Sequence, residues 1–166
     1  MSAQGGLFRS QLVLEEHRAL YDWWRDSFED ELPPKSSDFD PTAMPEVLPG
    51  VSVMERDTEQ AWRVRLAGTR FYETLGEEIS GMAIEGLPLG VDGRGWVRAL
   101  DLACDTGRPV CGAQRLIWRG RERGLARFWL RLPLRAQSGG RQQVLGHESF
   151  RPLEAALAAP AVAWAG

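Results

Sequence analysis

The side chains able to do acid–base, nucleophilic or metal chemistry are few. Of 166 residues, two are histidines, His17 and His147, and two are cysteines, Cys104 and Cys111. The run His147-Glu148-Ser149 sets a base, an acid and a hydroxyl side by side. Nucleophilic catalysis needs such groups within hydrogen-bond reach of one another. Neighbours along a strand alternate faces, so His147 and Ser149 share one face and Glu148 takes the other. The run therefore assembles no triad. No catalytic residue is assigned, and the chain is expected not to be an enzyme. Cysteines seven apart and two distant histidines match no structural zinc spacing. His147 is the only strand position that could ligate a haem iron, and it reads better as a packed or interfacial histidine. Gly90 to Gly95 has glycines before a helix but not the spacing of a dinucleotide fingerprint. A helix start there could hold an anion with Arg94 or Arg98, against the simpler reading of a flexible loop. No metal and no cofactor are expected.

The elements that hold these residues are set by periodicity. Between Gln11 and Asp30, apolar residues recur at Val13, Leu14, Leu20, Tyr21, Trp24 and Phe28, a helical stripe with acids and arginines opposite. Pro33-Pro34 ends that helix. Asp40, with Pro41 next to it, caps a short helix running to about Val47. Strands are expected at 51–57 and 61–67, with Trp62, Val64 and Leu66 on one face of the second. A short helix at 71–78, an irregular stretch at 81–95 and a helix at 96–105 come next. Three strands at 110–119, 125–134 and 143–150 complete the set, Phe128, Leu130, Leu132 and Leu134 sharing a face. Pro133 belongs at an edge or a bulge. The fold class is α+β, an antiparallel sheet with a helical crossover on one face and an N-terminal helix. We divide the chain into a disordered N-terminus (1–10), an N-terminal helical extension (11–48), a main domain (49–153) and an Ala-rich tail (154–166).

Composition narrows the function classes. With 43% hydrophobic and 26% charged residues, the chain reads as one globular domain with an ordinary core. A net charge of −3 gives no reason to expect nucleic acid or anionic membrane as partner. Acids crowd Glu15 to Asp40 and arginines Arg108 to Arg141, read as two solvated faces, with a basic docking face for an acidic partner as the sharper alternative. No apolar run nears the about 20 residues that cross a bilayer. Met1 to Ser10 lacks a signal-peptide pattern, so a cytoplasmic protein with reduced thiols is expected.

Several segments together resemble the proteobacterial family of small, often stand-alone PAS proteins. They are Trp23-Trp24-Arg25, Leu32-Pro33 and Asp38-Phe39-Asp40-Pro41, then Pro45-Glu46-Val47-Leu48-Pro49. Arg63-Val64-Arg65-Leu66-Ala67-Gly68-Thr69, Glu77-Glu78-Ile79-Ser80-Gly81, Leu132-Pro133-Leu134 and Val144-Leu145-Gly146 continue the match, which runs from about Tyr21 to Pro152. The resemblance implies a five-stranded antiparallel sheet, a cavity between it and the crossover helices, and signalling by association. Cys104, in Leu102-Ala103-Cys104-Asp105, lacks the surroundings of the reactive cysteine in light-sensing PAS relatives.

Under that reading the cavity candidates are Trp62, Val64, Leu66, Leu75, Trp96, Leu100, Gln114, Leu116, Trp118, Phe128, Leu130 and His147, with Gln114 the first polar one. The seven tryptophans of the chain are mostly core. Arg65, an arginine amid apolar residues, is expected to pair with an acid of the N-terminal helix. Leu20, Tyr21, Trp24 and Phe28 are the candidate interface of a homodimer. The expected function is a sensory module that takes a small apolar or amphipathic ligand or a signalling protein partner, with its output supplied elsewhere. The alternatives are an adaptor whose cavity is filled by side chains, or a cavity enzyme of ketosteroid-isomerase-like fold.

Overall fold

The computed structural model describes residues 3–88, 91–136 and 139–154; the Ala-rich tail expected from 154 lies, beyond its first residue, outside the described residues. The N-terminal helix expected from Gln11 to Asp30 is two helices, α1 (Ala3–Gln11) and α2 (Glu15–Asp26). Leu14 between them is extended, with φ −98° and ψ 136°. The break lets both helices bury apolar residues at one place: Phe8 and Leu12 join Leu20, Tyr21 and Trp24 in a single cluster. Arg9 clamps the pair through Nε and Nη2 to the Asp22 carboxylate, and Tyr21 donates to the Gly5 carbonyl. Residues 3–10 are thus helical, in place of the expected disordered N-terminus. Asp40 does accept from the Thr42 amide as a cap, yet it opens only a single 3-10 turn, Pro41–Ala43, with another at Leu48–Gly50.

The strands are β1 (Val51–Arg56), β2 (Trp62–Ala67), β3 (Val110–Trp118), β4 (Arg121–Pro133) and β5 (Gln143–Pro152). They form one antiparallel sheet in the order β2-β1-β5-β4-β3. Between β2 and β3 lie α3 (Thr69–Leu75), which ends on left-handed Gly76, and α4 (Val91–Thr106). Arg119 and Gly120, both at positive φ, make the tight β3–β4 turn. Pro133 sits in an internal strand, but at its very end, past the first β3 pairing at Arg131, so its missing amide hydrogen interrupts no ladder bond on that side.

The crossover helices lie on one face of this sheet and the N-terminal pair on the other. On the inner face, α3 and α4 pack with Met54, Trp62, Val64, Trp96, Leu100, Leu116, Trp118 and Val144. On the outer face, α1 and α2 pack with Val51, Val53, Leu130, Leu132 and Leu145. The central strands are consequently buried on both sides, from Ala126 to Pro133 and from Gln143 to Ser149.

One irregularity redirects two of the residues singled out by sequence. The β1–β2 register shifts between Val53 and Met54, where Val53 pairs with Leu66 and Met54 with Val64, leaving Arg65 as an extra residue. Such a bulge breaks the alternation. Arg65 and Leu66 are both exposed, Leu66 by 54%, so Leu66 lines no cavity and Arg65 does not reach the N-terminal helix.

Candidate functional site

The inner face carries a buried polar centre that strand pairing aligns. Ser52, Gly146 and Arg131 are successive partners across β1, β5 and β4, and Trp129 and Glu148 pair one step along. A Cβ at Gly146 would fall 2.6 Å from Ser52 Oγ and 3.0 Å from Arg131 Nη1. Only a residue without a side chain leaves those two groups room. Glu148 Oε1 accepts from Arg127 Nη1 at 3.4 Å and from Arg131 Nη2. All three side chains are buried: Arg127 is 3% exposed, Arg131 and Glu148 0%. From α4, Trp96 lays its ring under both guanidinium groups, 4.5 Å from Arg127 and 5.1 Å from Arg131, and Trp129 faces Arg131 at 5.4 Å.

This centre is not internally complete. Ser52 Oγ, Trp96 Nε1, Arg131 Nε and Glu148 Oε2 are buried without a hydrogen-bond partner. Each such orphan costs about 1–3 kcal/mol. Together they offer several donors and one carboxylate acceptor, held between aromatic rings.

Of the predicted cavity residues, Trp62, Val64, Leu75, Trp96, Leu100, Leu116 and Trp118 are in the inner cluster. Gln114 shares that face, since it pairs with Arg127, and is half-buried. Phe128, Leu130 and His147 belong to the outer face, because Leu130 pairs with His147 and Phe128 with Ser149 while Trp129 and Glu148 turn inward. They line no inner cavity. Sequence reasoning misses Ser52, Arg127, Arg131 and Glu148. The signal is present in Arg127, Trp129 and Arg131, a period-two set that reads as the solvent side of an apolar strand.

The outer face holds a second polar group of a different kind. His17 Nε2 and His147 Nδ1 are 3.0 Å apart, and His147 Nε2 is 3.0 Å from the Val47 carbonyl oxygen. Burial pushes the His147 pKa down to about 4, and burial, then the neighbouring imidazole, holds that of His17 well below its ordinary value. Beside them, Arg70 of α3 donates to the Glu148 carbonyl oxygen at 2.9 Å and approaches Glu16 at 3.7 Å. Arg151 donates to Glu16 at 3.2 Å. Arg70 and Arg151, not Arg65, meet an acid of the N-terminal helix. The dimer candidates Leu20, Tyr21 and Trp24 are buried in this layer, and Trp24 Nε1 donates to the Pro133 carbonyl. Phe28 is 37% exposed.

Elsewhere, an open groove of about 410 Å³ is lined by Glu85, Leu87, Gly93, Arg94, Val97, Arg98 and Asp101. Its arginines face acids as well as space, so it does not read as an anion site. Among the described residues no group of three or more His, Cys, Asp or Glu is placed to hold a metal, and no helix is long and apolar enough to cross a membrane.

A five-stranded antiparallel sheet with crossover helices on one face and an N-terminal helical pair on the other defines the class of fold, α+β. The model of the PAS domain family matches residues 14–148, and the chain belongs to that family. Among solved structures it is similar to the PAS domain of Bordetella pertussis BvgS, at 17% identity and TM-score 0.50, covering 73% of this chain and 90% of that one. VqmA bound to DPO gives 15% identity and TM-score 0.48 over 66% of this chain, which spans 56% of VqmA. A fungal LOV photoreceptor domain gives 18% identity and TM-score 0.48, covering 89% and 99% of the two chains. At these identities the likeness concerns the fold alone. No curated protein matches the chain.

Proposed function

We propose that this PAS domain is a sensory module that holds a small amphipathic ligand between the inner face and α4, and signals by association. The observation that carries this reading is the set of orphaned buried groups: Ser52 Oγ, Trp96 Nε1, Arg131 Nε and Glu148 Oε2 around one aromatic-walled centre. A ligand with an apolar body and a few polar atoms answers those groups and the rings together. Association is with a second copy or a signalling protein. Because Leu20, Tyr21 and Trp24 are already covered, the homodimer would use the remaining exposed apolar residues near α2, Phe28 and Leu32, unless the helix moves.

Native mass spectrometry of the purified protein tests the ligand. The expected result is a mass excess that disappears on denaturation and is absent from an Arg131→Met/Glu148→Leu variant. A bare chain that no small-molecule pool stabilises would overturn it. That outcome favours a second reading, an adaptor whose interior is filled by Trp62, Trp96 and Trp118, each at most 3% exposed.

A further inference from the structure

His17 and His147 join the N-terminal helix to the sheet from positions 130 residues apart in the chain. A carbonyl oxygen only accepts, so the bond to Val47 fixes the His147 proton on Nε2, and neutral His147 then has a bare Nδ1. That nitrogen accepts from His17, whose own proton must sit on Nε2. The bonds form a directed chain from His17 to His147 to the Val47 carbonyl.

Proton uptake disrupts this chain in two stages. A first proton enters at His17 Nδ1, the one imidazole nitrogen outside the chain, and creates a charged pair whose rings are 3% and 0% exposed. A second goes to His147 Nδ1, and two N–H groups then confront one another across 3.0 Å. The charged groups that act on the pair are Glu16 on α2, Arg70 on α3 and Arg151 on β5, with Arg131 on β4 and Glu148 on β5 acting from the other side of the sheet. The Leu48–Gly50 turn and the residue before it contribute only the Val47 carbonyl. Both acids are already engaged, Glu16 by Arg70 and Arg151, Glu148 by Arg127 and Arg131. At His17 the arginines oppose an imidazolium, whereas at His147 Glu16 and Glu148 favour one and Arg70 opposes it. Burial is the leading cause of the depressed pKa of both rings.

We infer that the His17–His147 contact is a proton-operated latch: when the pair takes up protons, α2 leaves the outer face while the sheet stays folded. The ladders of β1, β4 and β5 do not pass through either imidazole, so they outlast the helix's departure. Release would uncover Val51, Val53, Leu130, Leu132 and Leu145, an apolar layer that supplies the association surface. Its use in signalling rests on the function proposed for the domain; its occurrence does not.

The test is hydrogen exchange of the full chain from about pH 7.5 to about pH 3, corrected for intrinsic rates, beside long-range proton–nitrogen NMR of the imidazoles. At the upper pH both rings should be Nε2–H tautomers. On acidification the amides of 15–26 should lose protection at least about tenfold more than those of β4, with a midpoint that tracks the imidazole titration. The His17→Gln/His147→Gln variant should lose that midpoint. Protection of α2 that persists until β4 and β5 open, a midpoint apart from the imidazole titration, or the same midpoint in the double variant would each overturn the latch. If the variant does not fold, the coincidence in the natural protein decides. Native mass spectrometry at neutral pH reads the ligand independently, so either idea can fail alone.

Discussion

On the outer face of the sheet the buried polar groups are matched: His17 to His147, His147 to Val47, Trp24 to Pro133, Gln143 to Glu55. On the inner face the matching stops short, and the orphaned atoms Ser52 Oγ, Trp96 Nε1, Trp118 Nε1, Arg131 Nε and Glu148 Oε2 all lie on that side. Both faces are equally hidden from water, so burial alone does not explain the difference. A completed hydrogen-bond set fixes one arrangement, whereas a half-completed one is costly unless something else occupies it. The contrast separates a face built to hold a helix from a face built to receive a guest.

The comparison can be broken most directly at Glu148. Glu148→Gln removes the counter-charge from Arg131, which is fully buried, and should cost about 3–5 kcal/mol in urea unfolding at neutral pH. A loss under about 1 kcal/mol would mean that water already reaches the inner centre. Next in size is the acid response of the outer face. Burial keeps both imidazoles neutral, so the folded pKa lies below the unfolded value of about 6.5. The folded chain binds fewer protons than the unfolded one below that value. The stability is therefore complete above about pH 6.5 and is lost as the pH falls towards the His147 pKa of about 4. For His147 the loss is on the order of 3 kcal/mol at the bottom of the window, and a pH series of urea midpoints measures it. A stability curve flat between those values would show the rings to be accessible.

Trp24→Phe sharpens the contrast further. It keeps a ring in the outer layer but removes the donor to Pro133, and should cost about 1–2 kcal/mol by thermal unfolding. Leu66→Ser should change stability by no more than about 0.5 kcal/mol, because the bulge has already turned Leu66 to solvent. A large loss there would restore Leu66 to the interior and deny the bulge.

The strands are legible in the sequence because hairpins repeat with period two and end at turn residues, as at Arg119-Gly120. The features that escape are set by partners distant in sequence. Arg127 and Arg131 read as a wet face because nothing local announces that α4 covers them while α1 and α2 cover Leu130 and Leu132 behind. The extra residue at Arg65 has no mark in the alternation of Trp62 to Ala67; it exists only relative to β1. The two helices of the N-terminus read as one because Val13 and Leu14 continue the apolar spacing across the break. His17 and His147 stand far apart in the sequence, and only the fold makes them neighbours.

The opposite aim of His147 and Glu148 also bears on how β5 finds its place. β5 is a late strand in the chain that must insert between β1 and β4, a non-local closure of the slow kind. A slip by one residue would turn every side chain over. Glu148 would then enter the apolar layer of Val51 and Leu130, and His147 would be driven among Arg127 and Arg131. Both misplacements bury charge against the wrong surroundings, and they occur together. Two adjacent residues thus act as a register key: a misaligned strand is rejected from both sides of the sheet at once, before any ligand or proton plays a part.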